Sequence, residues 1–532
     1  MPTKDTSSPV SGITLTVDNN VNSLLYGQRW TSSTISYSLP DSNASWSTDP
    51  NVGYGLATSG GEPWHSFSPL NATQAAQFKV SLQEWADVAN IQFVQSLDNA
   101  STVGDIRIAF TKGTAVDGAQ AVAYLPDGTP MGGDIWFNAD STSFASDFAK
   151  GTYSYLTLLH ELGHSLGLKH PFEAASTNAA VIDPQLDSKV DTVMSYSAEP
   201  GQQDTMLSFY PTTPMVYDVL AIQSLYGVNH AYNAGDTVYS YAQNQTYLET
   251  IWDGGGTNTI SYSGSNAASI DLHEGHGSTL GNEVDVLDAS WDVMHPVQNV
   301  WIAYGTHIQN AIGGSGFNTI VGNELANQLA GGNDGNIFTG CAGNDTIIGG
   351  TGMDDAVYVG QRSDYTVTCV AGTYTVTDKS GAEGVDTLSN VERLVFADKD
   401  VALDISGDAG KIYRLYQAAF DRAPLPTGLG FWIHSLESGV SMEQVANDFI
   451  ASAEFQSLNG QNPSTETFIT NLYHNVLHRA PLDSGLAWWV NSFQDPHTTK
   501  ADTLIGFSES AENQAQVIGS IQNGMDYTPY TA

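Results

Sequence analysis

The run Leu156-Thr157-Leu158-Leu159-His160-Glu161-Leu162-Gly163-His164-Ser165-Leu166-Gly167-Leu168-Lys169-His170-Pro171 constrains this chain more than any other stretch. On an α-helix, His160 and His164 stand one turn apart on the same face. Both imidazoles can therefore reach one metal ion. Glu161 is turned about 100° from His160, which places it beside the metal, where a general base for an activated water belongs. Gly167 can take φ > 0 and end the helix sharply, so the chain can bring His170 back as a third nitrogen. Three protein ligands plus an open position describe a catalytic zinc, whereas structural zinc sites are closed by four protein ligands. The flanking leucines bury the helix, predicted over 153–168, and buried histidines need partners.

His160-Glu161-x-x-His164-x-x-Gly167-x-x-His170, followed by Met194-Ser195-Tyr196, resembles the metzincin pattern with its Met-turn. The Tyr in that turn resembles the astacin and serralysin branches. The rest of the chain is similar to the serralysins, secreted bacterial zinc proteases that carry a calcium-binding β-roll of RTX repeats. The resemblance implies an extracellular endopeptidase with one catalytic Zn²⁺ on His160, His164 and His170 and Glu161 as general base. It makes Met194 an apolar floor beneath the histidines. It gives Tyr196 a catalytic role, ligating zinc at rest and then hydrogen-bonding the tetrahedral intermediate. Ala121-Val122-Ala123-Tyr124-Leu125-Pro126 resembles the edge strand on which substrate backbone pairs, with Ala121, Ala123 and Tyr124 as substrate-binding residues; an ordinary sheet strand is the alternative. The implied partners are protein or peptide substrates, a type I secretion apparatus and a proteinaceous inhibitor.

Net charge is −40, from 57 acidic and 17 basic residues, which excludes nucleic acid as a partner because that needs a basic footprint. The two cysteines, Cys341 and Cys369, form neither a disulfide framework nor a metal pair. No run of about 18 apolar residues exists, so no membrane span is expected. The N-terminus lacks the apolar core of a signal peptide; composition alone would suggest a cytoplasmic protein. The resemblance reverses that, since serralysins leave the cell in one step without such a peptide.

The expected architecture is multidomain: an α+β metzincin catalytic domain, a parallel β-roll (RTX) domain and an all-α C-terminal domain. Residues 1–30 read as a polar, loose extension or propeptide, without a cysteine to plug the metal. Residues 31–230 read as the catalytic domain. It has a helix over 72–89, strands near 34–39, 91–94, 106–110, 121–126 and 134–137, and a closing helix over 215–227.

Residues 231–404 read as the β-roll with a β-rich extension. From Gly313 a nine-residue period places Asn318, Asn327, Asn336, Asp345 and Asp354 at the sixth position and Ile320, Leu329, Phe338, Ile347 and Ala356 at the eighth. Each unit is then a Gly-rich turn facing calcium and a short strand whose apolar residue fills the roll. The several structural Ca²⁺ would draw on Gly314, Gly316, Asn318, Gly332, Asn336, Gly343, Asp345, Gly350, Gly352 and Asp354. Upstream, Asn233, Gly235, Thr237, Asp253, Gly255, Gly256 and Asn258 resemble a first calcium site. Asn258 replaces the family's usual Asp, and His307-Ile308-Gln309 replaces its Thr-x-Glu. Asn in place of Asp should weaken or empty some sites.

Residues 405–532 read as a helical tandem repeat. Leu415-Tyr416, Arg422-Ala423-Pro424, Gly428-Leu429 and Phe431-Trp432 return as Leu472-Tyr473, Arg479-Ala480-Pro481, Gly485-Leu486 and Trp488-Trp489. This resembles an uncharacterised helical module of type I-secreted and surface-layer proteins. The competing functional reading is a surface-layer or biofilm adhesion scaffold with a vestigial zinc site, against which the intact histidine constellation argues.

Overall fold

The helix Ala72–Val88 starts at a capping box, in which Asn71 accepts from Gln74 N and the Gln74 side chain returns the bond. It buries Phe78, Leu82 and Trp85. The computed structural model describes residues 1–144 and 147–530, which form two compact units, Met1–Asn310 and Ala311–Ala532.

In the first unit a five-stranded sheet runs Gln92–Gln95, Thr34–Ser38, Ile106–Thr111, Ile135–Asn138, Ala121–Ala123. The first four strands are parallel, and Ala121–Ala123 is antiparallel to its single neighbour. It therefore lies at an edge with one row of backbone groups free. The helices Ala72–Val88, Tyr153–Leu166 and Val216–Tyr226 share a core with this sheet, built from Trp85, Leu158, Leu159, Leu162, Val219 and Ile222.

Residues 1–30 are not loose. The strand Val10–Gly12 pairs with Gln28–Trp30, and Val21, Leu24, Leu25 and Trp30 are buried. Tyr26 N donates to Gly167 O, Lys169 N to Leu24 O, and Trp30 Nε1 to Ser165 O. Four apolar anchors in a polar stretch hold this segment against the end of the histidine helix.

The compact division falls at 310. Residues 231–310 join the first unit because Leu248, Trp252, Val284, Val286 and Ala303 pack into the same core as the histidine helix. That stretch also contains a hairpin that the sequence patterns above leave unassigned. Val284–Leu287 pairs with Val293–Val297 on one side and with Met206–Leu207 on the other.

In the second unit the repeats stack as short parallel strands. Asn318–Val321, Asn336–Thr339 and Asp355–Val357 stack in parallel on one sheet, with Asn318 beside Asn336. Gln328–Ala330 and Thr346–Ile348 stack on another. Ile320, Leu329, Phe338, Ile347 and Ala356 are fully buried between them. The hairpin of Tyr365–Val370 and Thr373–Asp378 extends the second sheet through Val385–Ser389.

Eight helices between Asp408 and Ile521 follow. The repeat has a physical basis. Arg422 grips Glu454 through two bonds of 2.7 and 2.9 Å, and Arg479 grips Glu512 identically. Ser452 and Ser510 cap equivalent helices. The last strand, Met525–Tyr527, pairs with Asp400–Ala402, so the helical region closes back onto the roll extension. No helix among the described residues is long and apolar enough to cross a membrane.

Candidate metal centre and substrate cleft

The helix Tyr153–Leu166 begins at Thr152, whose hydroxyl accepts from Tyr155 N. It ends at Gly167 with φ 107°, the left-handed region. A Cβ there would lie 2.5 Å from Gln28 O, so glycine is required twice over, by conformation and by space. The turn delivers His170 to the face that His160 and His164 share.

The Nε2 atoms of His160 and His164 lie 3.2 and 3.1 Å from His170 Nε2. Each Nδ1 is already committed: His160 to Val193 O at 2.8 Å, His164 to Leu168 O at 2.8 Å, His170 to Glu173 Oε2 at 3.0 Å. Those acceptors require Nδ1 to carry the proton, which leaves three Nε2 lone pairs converging on one point. Burial and the neighbouring imidazoles hold the His160 pKa well below the usual range and push His164 down to about 3. Neutral, convergent, outwardly braced imidazoles are the donor set that suits a divalent transition ion. The residues present fit zinc.

Glu161 is 5 % exposed, and its Oε2 has no hydrogen-bond partner. Burial pushes its pKa up to about 8. An uncommitted buried carboxyl oxygen of this kind can accept a proton. Tyr196 OH donates to His170 Nε2 at 2.8 Å. Burial raises its pKa, so the phenol remains a donor.

Two supporting residues escape a reading of motifs. Gly163, inside the His-Glu-x-x-His run, faces the buried Met194: a Cβ there would sit 2.6 Å from Met194 Sδ. Its missing side chain lets the methionine pass under the helix. Asp218, at the start of Val216–Tyr226, accepts from Thr192 Oγ1, Val193 N and Met215 N at 2.6, 2.7 and 2.8 Å. It pins the 192–194 turn, and Val193 O in turn orients His160. Only its place in a helix N-terminal turn hints at this role.

Two cavities flank the centre and share Ala119, Ala121, His160, Glu161 and Tyr196. One, of about 700 Å³, reaches Leu156, Tyr153, Tyr210, Met206 and Trp291. The other, of about 400 Å³, reaches Ala123, Leu125, His164, His170 and Tyr26. Ala121 and Ala123 line the cleft. Tyr124 lines neither cavity, and its side chain packs in a separate cluster. There its hydroxyl donates to Glu62 Oε1 at 3.1 Å and its ring meets Tyr54.

The calcium residues divide. Around Asn258 an amide network stands among the carboxylates of Asp253 and Asp236. Asn258 Nδ2 donates to Gly255 O and His307 O, its Oδ1 accepts from Thr237 N, and its N–H donates to Gln309 Oε1. Thr237 Oγ1 donates to Gly235 O. Asp253 accepts from Gly255 N and Tyr239 OH, and Asn233 donates to that hydroxyl. Gly256, at φ 93°, has no room for a Cβ against Gly235. Asn318 Nδ2 likewise faces Gly314 O, Gly316 O and Asn336 Oδ1. At both places an amide occupies the space between the oxygens. Asn336 spans to Asp354 Oδ1, and Asp354 Oδ2 accepts from Gly350 N. Gly332 and Gly350 approach the preceding coil too closely for a Cβ, and Gly352 and Gly343 (φ 118°) do the same. Asp345 differs. Its Oδ1 accepts from Asn327 N, while its Oδ2 is buried without a partner. Burial and nearby Asp386 push its pKa up to about 7. A buried, unpaired carboxylate oxygen does fit a cation.

Asp271, His273 and His276 form another compact group. Both imidazole Nδ1 atoms already bond the Asp271 carboxylate, at 2.7 and 3.0 Å, and the group is satisfied as it stands.

Residues 60–195 match the matrixin family, and residues 217–425 match the peptidase M10 serralysin C-terminal family. Residues 407–459 and 446–517 each match a domain of unknown function, DUF4214, in keeping with two helical copies. A serralysin of Photorhabdus luminescens is 36 % identical over 293 residues, covering 50 % of this chain and 56 % of its own. A metalloprotease AprA of Pseudomonas entomophila is 34 % identical over 289 residues, covering 50 % and 56 %. A serralysin A of Dickeya chrysanthemi is 35 % identical over 272 residues, covering 48 % and 54 %. The chain spans about half the length of the curated relatives it matches.

Proposed function

We propose that this chain, which is a serralysin-type metzincin across its matrixin and serralysin C-terminal regions, acts as a secreted zinc endopeptidase on extracellular proteins. The observation that carries the reading is that His160 and His164 Nε2 both lie within 3.2 Å of His170 Nε2, each ring braced through Nδ1. His160, His164 and His170 would hold the ion. Zinc held by three imidazoles supplies Lewis acidity toward a scissile carbonyl and a water.

The chain's own groups then do the following. The free edge of Ala121–Ala123 pairs with the substrate backbone and lays it across the two cavities. Glu161 takes the proton of the attacking water on its free Oε2 and returns it to the departing amine. A carboxylate with one oxygen free can accept that proton and, once protonated, can give it up again. Tyr196 leaves His170 and donates to the carbonyl oxygen as negative charge grows there.

Calcium in the second unit belongs at Asp345 and its neighbours rather than at the Asn-bearing turns. There it would offset buried carboxylate charge and stabilise the roll outside the cell by mass action. Export through a type I apparatus accords with the roll and with the identity of the relatives.

The test is Glu161→Ala in the full zinc-loaded chain. Zinc content and circular dichroism should match the parent, while casein cleavage falls about 10²–10⁴-fold, the usual worth of a general base. Cleavage at the parental rate would rule out Glu161 as the base.

A further inference from the structure

The geometry points to Trp291 as a substrate-recognition residue, an aromatic lip at the tip of the 284–297 hairpin that packs on a large apolar side chain of the bound peptide. The inference rests on the endopeptidase reading above and adds to it the class of side chain that one half of the cleft selects.

Position comes first. Trp291 lines the larger cavity together with Leu156, Tyr210 and Met206, next to His160 and Glu161. A peptide lying along Ala121–Ala123 sends side chains to either side of the scissile bond, and those on this side reach a chamber of mixed lining whose apolar members, Leu156, Met206 and Tyr210, lie with the indole.

Exposure comes second. Trp30, Trp85 and Trp136 are buried, whereas Trp291 is 68 % exposed. Val293 and Met294 beside it are also exposed. A large aromatic left this exposed at the mouth of a cleft is a candidate contact for what enters it.

Rigidity comes third. Trp291 has φ 67°, left-handed backbone that a bulky residue rarely adopts. The turn enforces it. Asp288 Oδ1 accepts from Ser290 N and Asp292 N, Trp291 N donates to Asp288 O, and Asp288 N donates to Asp292 O. The base of the hairpin is equally fixed. Val286 and Leu287 pair with Leu207 and Met206, Ser208 N and Oγ bond the Asp285 backbone, and His295 Nε2 meets Glu199 Oε2 at 2.6 Å. Met206 is itself part of the cavity wall, so the hairpin continues that wall. A rigid aromatic presented this way binds with little ordering cost.

The experiment uses the full zinc-loaded chain and a peptide series that varies only at the positions flanking the cleaved bond, with Phe, Leu or Gly at each. The parent should favour Phe over Gly at a position on one side of the bond. Trp291→Ala should reduce that ratio of kcat/KM about tenfold, in the range of a lost apolar contact, and Trp291→Tyr should keep most of it. The same Phe peptide is titrated into Glu161→Gln and Glu161→Gln/Trp291→Ala chains, where weaker binding in the double variant is expected. An unchanged ratio with unchanged affinity would overturn the assignment. If the parent cleaves no peptide, the endopeptidase reading falls, while the titration still decides whether Trp291 contacts a peptide.

Discussion

At the residue scale, the centre depends on groups that never touch the ion site. Gly163 is the sharpest case, since a single methyl would meet Met194 Sδ at 2.6 Å. Gly163→Ala should therefore push Met194 from beneath the histidines and cost about 1–3 kcal/mol, the usual price of overpacking a core. Chemical denaturation would measure it, and parental stability would mean that Met194 moves aside freely. The three histidines and Glu161 were readable because helical spacing places them without any knowledge of the rest of the chain. Gly163 and Asp218 were not, because their roles exist only after the 192–194 turn has folded under the helix. The Tyr124 side chain could not be placed for a simpler reason: a motif names a strand, but not which side chains along it line the cleft.

At the element scale, the repeats announced stacked parallel strands but not which turns could hold an ion. The nine-residue period follows from coil geometry, and the buried Ile320, Leu329, Phe338, Ile347 and Ala356 obey it. Whether a turn takes calcium depends on one atom at the sixth position. Where it is Asn318 the amide bonds the surrounding carbonyls, and where it is Asp345 a carboxylate oxygen is left over. Calcium should raise the thermal midpoint of the parent, and Asp345→Asn should shrink that rise while Asn318→Ala lowers the midpoint with or without calcium. Calorimetry in chelator and in millimolar calcium separates the two; an equal calcium shift in parent and Asp345→Asn would exclude Asp345 as a ligand. The Val284–Leu287 and Val293–Val297 hairpin was silent in the sequence, since short strands around a polar turn look like any surface loop.

At the scale of the whole molecule, the segment read as loose proved to be a support. Residues 1–30 seal the Gly167 turn through Tyr26 and Lys169 backbone bonds, so the geometry of His170 depends on chain more than a hundred residues away. Residues 231–310 likewise fold with the first unit, and their hairpin completes one wall of the cleft. All of this serves one claim, that His160, His164 and His170 share a single zinc. Metal analysis of the purified chain and of His164→Ala tests it most directly. One zinc per parent chain, lost from the variant while its secondary structure persists, is the expected result; a parent without stoichiometric zinc, or a variant that keeps it in full, would contradict the account.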